Sequence, residues 1–186
     1  MVSVNVSQLL LLGPGATREF DFAEPLPDPN HELHLEGPIQ GHARLTRTSD
    51  GILVHSEHRA RVSLECARCL EDAHADVKGE LDEEFFPTTD VRTGLPLHTA
   101  ERGRDDELTI DEHHEIVLDE LLRQNILTNL PLQPLCDTAC PGLCATCGER
   151  LDNHHTPHNQ DTTEQPVDAA SPFAQLALLL RDDEER

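Results

Sequence analysis

Apolar and polar side chains alternate with period two through most of the first 86 positions, the pattern of strands that bury one face. Val2, Val4 and Val6 alternate with polar neighbours, and Phe20 and Phe22 do the same in the run REFDF. In HARLTR, Ala43 and Leu45 share a face. In RARVSLEC, Ala60, Val62, Leu64 and Cys66 share one. Ser49-Asp50-Gly51 supplies turn residues between these two runs and predicts a hairpin or meander. A further strand sets Ala73, Ala75, Val77, Gly79 and Leu81 on one side. Strands at this spacing predict a curled or barrel-like antiparallel sheet.

After residue 86 the period changes. Positions 87–106 (PTTDVRTGLPLHTAERGRDD) are rich in breakers and charge and predict an exposed, mobile loop. Over 115–129, Ile116, Val117, Leu121, Leu122, Ile126 and Leu127 recur at three and four, as a helix with one apolar stripe requires, and Pro131 stops it. The stretch 149–170 is a polar linker, and Ser171-Pro172 opens a short helix through Phe173, Leu176, Leu179 and Leu180. The expected fold class is therefore α+β. An antiparallel β-rich body with one main amphipathic helix occupies 1–135, and a cysteine-rich, zinc-knuckle-like segment, the linker and a short helix occupy 136–186.

Charge narrows the range of partners. The chain carries 36 acidic and 14 basic residues, a formal net charge of -22, with Lys78 as its one lysine. Such a field repels phosphate backbones and anionic membranes, so non-specific nucleic-acid binding is disfavoured. The least acidic stretch, 44–68, holds Arg44, Arg47, Arg59, Arg61 and Arg68 and is the one candidate face for direct RNA contact. The opening MVSVNVSQLLLLGPG lacks an early positive charge, and its apolar run is too short for a signal core, so a cytoplasmic protein is expected.

In a reducing compartment six cysteines point to thiolate chemistry or metal ligation rather than disulfides. They are spaced Cys66-x2-Cys69 and Cys136-x3-Cys140-x3-Cys144-x2-Cys147. A C-x-x-C turn lets two thiolates converge on one tetrahedral zinc ion at about 2.3 Å, and a closed structural site takes two such pairs. Six thiolates exceed one shell, which leaves two partitions. In the preferred one, Cys66, Cys69, Cys136 and Cys140 close a site, and Cys144 and Cys147 look to His154, His155 or His158. In the other, Cys66 and Cys69 pair with Cys144 and Cys147. A redox use of C-x-x-C wants the pair at a helix N-terminus, whereas Cys66 ends a β-alternating run. The chain has no G-x-S-x-G, phosphate-loop or H-E-x-x-H motif, and Asp111-Glu112-His113-His114-Glu115 reads as an exposed polar turn. No enzyme activity is expected.

The segments Cys66-Ala67-Arg68-Cys69-Leu70, Glu83-Glu84-Phe85, Leu130-Pro131-Leu132 with Cys136, and PGLCATCGERL over 141–151 together resemble the YceD family. These are bacterial proteins with plastid relatives, associated with accumulation of large-subunit ribosomal RNA. Ser171-Pro172-Phe173-Ala174-Gln175-Leu176 is similar to that family's C-terminal helix. Many members carry a further C-x-C after GLC-x-x-CG. Counted from Leu151 those positions are Thr156 and His158 here, so the resemblance makes His158 a ligand in place of a thiolate. Val117 stands where the family usually has an Asp near the helix start. The resemblance implies a non-enzymatic factor supporting synthesis, processing or stability of large-subunit ribosomal RNA. With this charge, such a factor is expected to reach RNA through ribosomal or RNA-processing proteins. A direct RNA-binding zinc module on the Arg44–Arg68 face and a thiol redox protein are the alternatives.

Overall fold

The computed structural model describes residues 1–29, 31, 33–97, 108–151 and 155. The chain divides into two compact units, Met1–Leu143 and Cys144–Arg186. The described elements lie in the first. In order they are β1 Ser3–Asn5, α1 Ser7–Leu10, β2 Thr17–Glu24, β3 His34–Leu35, β4 Ile39–Arg47, β5 Ile52–Glu65, β6 Asp72–Pro87, β7 Thr109–Ile110, β8 Glu115–Val117 and α2 Asp119–Thr128.

The main sheet runs β2-β4-β5-β6-β7, with β3 paired to β5. Its path does not close among the described residues, so the barrel-like expectation gives way to an open sheet. The pairing is antiparallel except between β6 and β7, where Phe86 and Pro87 run parallel to Thr109 and Ile110. The β5–β6 hairpin is its spine, with every residue from Ile52 to Glu65 paired against Phe85 back to Asp72. Alternation decides which way each strand faces. Ile39, Ala43 and Leu45 on β4, Ile52, Val54, Ala60 and Val62 on β5, and Val77, Leu81 and Phe85 on β6 are all buried. The opposite face is a charged ladder. Arg44 reaches Glu19 at 2.7 Å, His42 reaches Asp21 at 2.8 Å and His55 reaches Asp82 at 2.7 Å, each a cross-strand pair.

Helix α2 covers the inner face, burying Leu122 and Ile126, with Leu118 buried at its entry. It begins four residues later than periodicity predicts. Ile116 and Val117 instead belong to β8, which pairs with β1 (Val4 opposite Ile116) in a separate two-stranded sheet. Three residues satisfy a period of two and a period of 3.6 almost equally, and pairing with the N-terminus decides between them. The same N-terminal segment clamps the helix. The Val2 amide donates to Asp119 Oδ1 at 2.6 Å, and the Leu118 amide donates to the Val2 carbonyl at 2.9 Å. Val2, Val4 and Val6 are all buried, although the chain turns into α1 directly after Val6. Residues 88–97, within the predicted loop, form a hydrogen-bonded turn around Asp90 Oδ1, which accepts from the Arg92 and Thr93 amides at 3.0 and 2.8 Å. Residues 98–106 and the predicted C-terminal helix lie outside the described residues.

Beneath the C-terminal end of α2 the row Gly41–His58–Gly79 crosses three strands. His58 is 5% exposed, and neither ring nitrogen has a partner in hydrogen-bond geometry. Burial lowers its pKa, and the facing Asn125 amide offsets this only in part, so the ring is held neutral. Gly79 is required because a Cβ there would overlap Asn125 Oδ1 and lie 2.6 Å from His58 Nε2. Asn125 cannot swing clear without losing its bond to the Glu80 carbonyl at 2.9 Å. Gly79→Ala is therefore expected to cost about 1–3 kcal/mol in urea unfolding through overpacking under the helix, and an unchanged midpoint would refute this account of α2 docking.

Arg123, itself buried on α2, clasps Glu120 through Nε at 2.9 Å and Nη2 at 2.5 Å. This bond to Arg123 holds the Glu120 carboxyl at about 2, below its ordinary 4.5. A depressed folded-state value stabilises the fold above the unfolded value, and the contribution is lost as pH falls through about 2. Thermal midpoints of Glu120→Gln and the parent chain should differ above pH 4.5 and converge towards pH 2; parallel curves would contradict the pairing.

Candidate metal centre

The first C-x-x-C is the turn of the β5–β6 hairpin. The Cys66 amide donates to the Glu71 carbonyl at 2.8 Å, and the Leu70 amide donates to the Cys66 carbonyl at 3.0 Å. Leu70 takes φ 62°, the left-handed conformation that lets the chain reverse within four residues. Beyond α2, Pro131 and Pro134 forbid a continuing helix and send the chain back to this turn. There the Ala67 amide donates to the Pro134 carbonyl at 2.8 Å, and Arg68 Nη1 donates to the Cys140 carbonyl at 3.0 Å. A small turn then brings Cys136 and Cys140 together, with Asp137 Oδ1 accepting from the Ala139 amide at 2.7 Å and the Asp137 carbonyl from the Cys140 amide at 3.0 Å. Gly142, at φ 82°, lets the following chain pass the knuckle, where a Cβ would come 3.3 Å from the Arg68 carbonyl.

The sulfurs of Cys66, Cys69, Cys136 and Cys140 consequently lie within 4.8 Å of one another. Cys66 and Cys140 are 3.8 Å apart and Cys69 and Cys136 are 3.5 Å apart. A tetrahedral ion bound by thiolates at about 2.3 Å has sulfur-to-sulfur edges of about 3.8 Å, so the cage already has the size a divalent metal needs. Cys66, Cys69 and Cys140 are buried, and Ala73, Leu135 and Leu143 surround the cluster. Without a cation four such thiols cannot all ionise. The Cys136 backbone amide leads in lowering Cys66 to about 6, while hydrogen bonding to Cys69 leads in pushing Cys136 up to about 12. A divalent ion would relieve this mutual opposition by neutralising the charge that the sulfurs impose on one another.

A second cluster lies within the other unit. Cys144, Cys147 and His155 have ligand atoms within 4.8 Å, and Cys147 Sγ lies 3.3 Å from His155 Nε2. The structure thus assembles the first of the two partitions open to sequence. Cys66 and Cys69 meet Cys136 and Cys140, and the alternative pairing with Cys144 and Cys147 is not formed in either cluster. Of the three histidines offered for the second cluster, His155 is brought to it. His154 and His158 lie outside the described residues. Sequence reading overlooked the carbonyls that close the first turn, although the breaker Pro134 was a signal of where the chain returns.

The other candidate residues are placed differently. Asp111 Oδ1 accepts from the His113 and Glu115 amides at 2.9 and 2.7 Å, making 111–115 a turn, and it belongs to no metal-sized cluster among the described residues. Of the five arginines of 44–68, Arg44, Arg59 and Arg61 stand on the exposed outer face of the sheet, and all five are engaged within the chain. Arg44 pairs with Glu19 and Arg61 with Glu36, Arg59 donates to the side-chain Oε1 of Gln40, and Arg47 and Arg68 are spent on backbone carbonyls. No helix among the described residues is long and apolar enough to cross a membrane. Replacing Cys69 with Ser removes a donor from a buried cage, so metal retained after gel filtration is expected to fall by about one equivalent; full retention in Cys69→Ser would show that the four sulfurs do not act together.

Residues 54–180 match the family described as "Large ribosomal RNA subunit accumulation protein YceD". An uncharacterized protein of Mycobacterium tuberculosis (strain ATCC 25618 / H37Rv) is 34% identical over 108 residues, covering 58% of this chain and 49% of the relative. One from Mycobacterium leprae (strain TN) is 32% identical over 115 residues, 61% of this chain and 49% of the relative. The chain spans about half the length of these curated relatives. No solved structure matches it.

Proposed function

The chain belongs to the YceD family, and from that premise we propose that it supports accumulation of large-subunit ribosomal RNA as a cytoplasmic, non-enzymatic factor working through protein contacts. The observation that carries the reading is the match over 54–180, a span that includes all six cysteines. A net charge of -22 favours a basic protein as the direct partner and opposes wrapping of RNA. The internal engagement of Arg44, Arg47, Arg59, Arg61 and Arg68 argues in the same direction, since each guanidinium already has an acceptor within the chain. Thiol redox chemistry draws little support from a C-x-x-C seated in the β5–β6 hairpin turn and not at the N-terminus of either described helix.

Zinc at Cys66, Cys69, Cys136 and Cys140 is part of this proposal. Four thiolates in a closed, mostly buried cage are the donor set of a structural zinc ion, with no position left for a substrate. Its role is to hold the post-helix segment to the hairpin, where Ala73, Leu135 and Leu143 supply only a small apolar contact. The test is affinity purification of the tagged chain from cells at physiological salt, with and without RNase. Ribosomal or RNA-processing proteins should remain bound after RNase, whereas loss of every partner would overturn the protein-contact mechanism and leave RNA as the tether.

A further inference from the structure

The outer face of the main sheet departs from its own charge pattern at one place. On β4, β5 and β6 the basic side chains Arg44, Arg61, His42, His55 and His74 each meet a carboxylate, at 2.7 to 3.1 Å. Arg59 and Lys78, on the same face, enter no ion pair among the described residues. They also stand directly opposite one another in the β5–β6 register. Like charges so placed destabilise a sheet, yet a chain with 36 acidic residues sets cation against cation here.

Arg59 is held in place without being neutralised. Its Nε and Nη2 donate to Oε1 of Gln40, the residue opposite on β4, at 3.3 and 2.8 Å. An amide oxygen carries no net charge, so the guanidinium is fixed in orientation and keeps its full charge. Its other N–H donors have no acceptor among the described residues. The pair also borders a hollow. β3 pairs with β5 at Val62 and Ser63, and β4 pairs with it from Arg59 back to Ile52, so the linker Glu36-Gly37-Pro38 passes the gap at Ala60 and Arg61. Between Pro38 and the row Gln40–Arg59–Lys78 this leaves a space of about 320 Å3. That is the lower end of the range for small-molecule sites, about 300–1,000 Å3.

The neighbouring rows limit what charge the hollow accepts. Same-face residues along a strand are about 7 Å apart. Glu57–Glu80 therefore lies one row to one side, and Arg61–Asp76, with Glu36 on Arg61, one row to the other. Two uncompensated positive charges sit between rows that carry carboxylates. A single dianion matches them, whereas the adjoining phosphates of a nucleic-acid strand would fall on Glu57 and Glu80 or on Asp76. Charges more than about 8 Å away are largely screened at physiological salt, so the net charge of -22 does not cancel this local field. The planar fork of arginine and the point charge of lysine are both established partners of phosphate oxygens.

We propose that Arg59, oriented by Gln40, and Lys78 bind the dianionic phosphoryl group of a small molecule, free phosphate or a phosphate monoester, in this hollow. The bound group relieves the opposition of the two cations, and the fold gains stability when it is occupied.

The test is titration calorimetry of the full chain with inorganic phosphate and with glycerol phosphate, beside thermal midpoints in phosphate and in sodium chloride of equal ionic strength. The parent should bind about one equivalent of phosphate and unfold at a higher temperature in it than in chloride. Lys78→Glu turns the opposition into a cross-strand ion pair with Arg59. It should therefore unfold no lower than the parent without phosphate, yet bind phosphate at least about tenfold more weakly. Arg59→Gln should lose the phosphate response in the same way. Tighter binding of the ester would show that the hollow also takes the substituent, and equal binding that the phosphoryl group is the whole ligand. Equal midpoints in phosphate and chloride, or a Lys78→Glu chain that binds phosphate as the parent does, would overturn the site. So would tighter binding of a uridine oligonucleotide that Lys78→Glu abolishes, which would make the pair an RNA contact.

Discussion

Mutual contact of four sulfur atoms at the end of the β5–β6 hairpin is the constraint around which the chain after α2 is arranged. Residues 131–143 carry three prolines and a glycine and have no regular hydrogen-bonded partner strand. They return to the hairpin because backbone donors from Ala67 and the Arg68 guanidinium receive them, and because the sulfurs of Cys136 and Cys140 then fit against Cys66 and Cys69. The apolar surface buried there is slight, so this corner draws less on hydrophobic burial than the rest of the unit does.

The sheet body solves a different problem. Its inner face is filled by β-branched and leucine side chains beneath α2, while the outer face carries interleaved charges that pair across strands. In a chain this acidic, placing Arg44 opposite Glu19 limits self-repulsion on the outer face, while His42 and His55 hydrogen-bond the carboxylates of Asp21 and Asp82. Exposed pairs of this kind add little stability singly. For Arg44 the larger effect is that its cation is already engaged by Glu19.

Much of this body was legible in the chain, and the reasons are local. Val54, Ala60 and Val62, or Val77 and Leu81, alternate over enough residues for a period of two to stand out, and the turn at Ser49-Asp50-Gly51 fixes the β4–β5 connection. Short elements escape such reading. β7 and β8 span two and three residues, and their pairing with β6 and β1 depends on contacts far apart in sequence. The same limit applies to the cysteines. Their spacing announces metal chemistry, but which pairs meet is decided by Pro131 and Pro134 turning the chain back, a path that ligand spacing does not encode. His155 was one of three candidates, behind His158, which the family resemblance favoured, because proximity in sequence does not say which ring faces the two sulfurs.

The left-handed backbone of Leu70 sets apart how the two C-x-x-C turns are held. A leucine in that region costs about 1–2 kcal/mol, where Gly148 at the equivalent step costs almost nothing. The geometry of the first turn therefore has to be imposed by its contacts, among them the Cys66 and Leu70 amide bonds that close it. Gly148 leaves its turn free to sample either hand, whereas the leucine-bearing turn is kept left-handed by the long hairpin that closes on both sides of it.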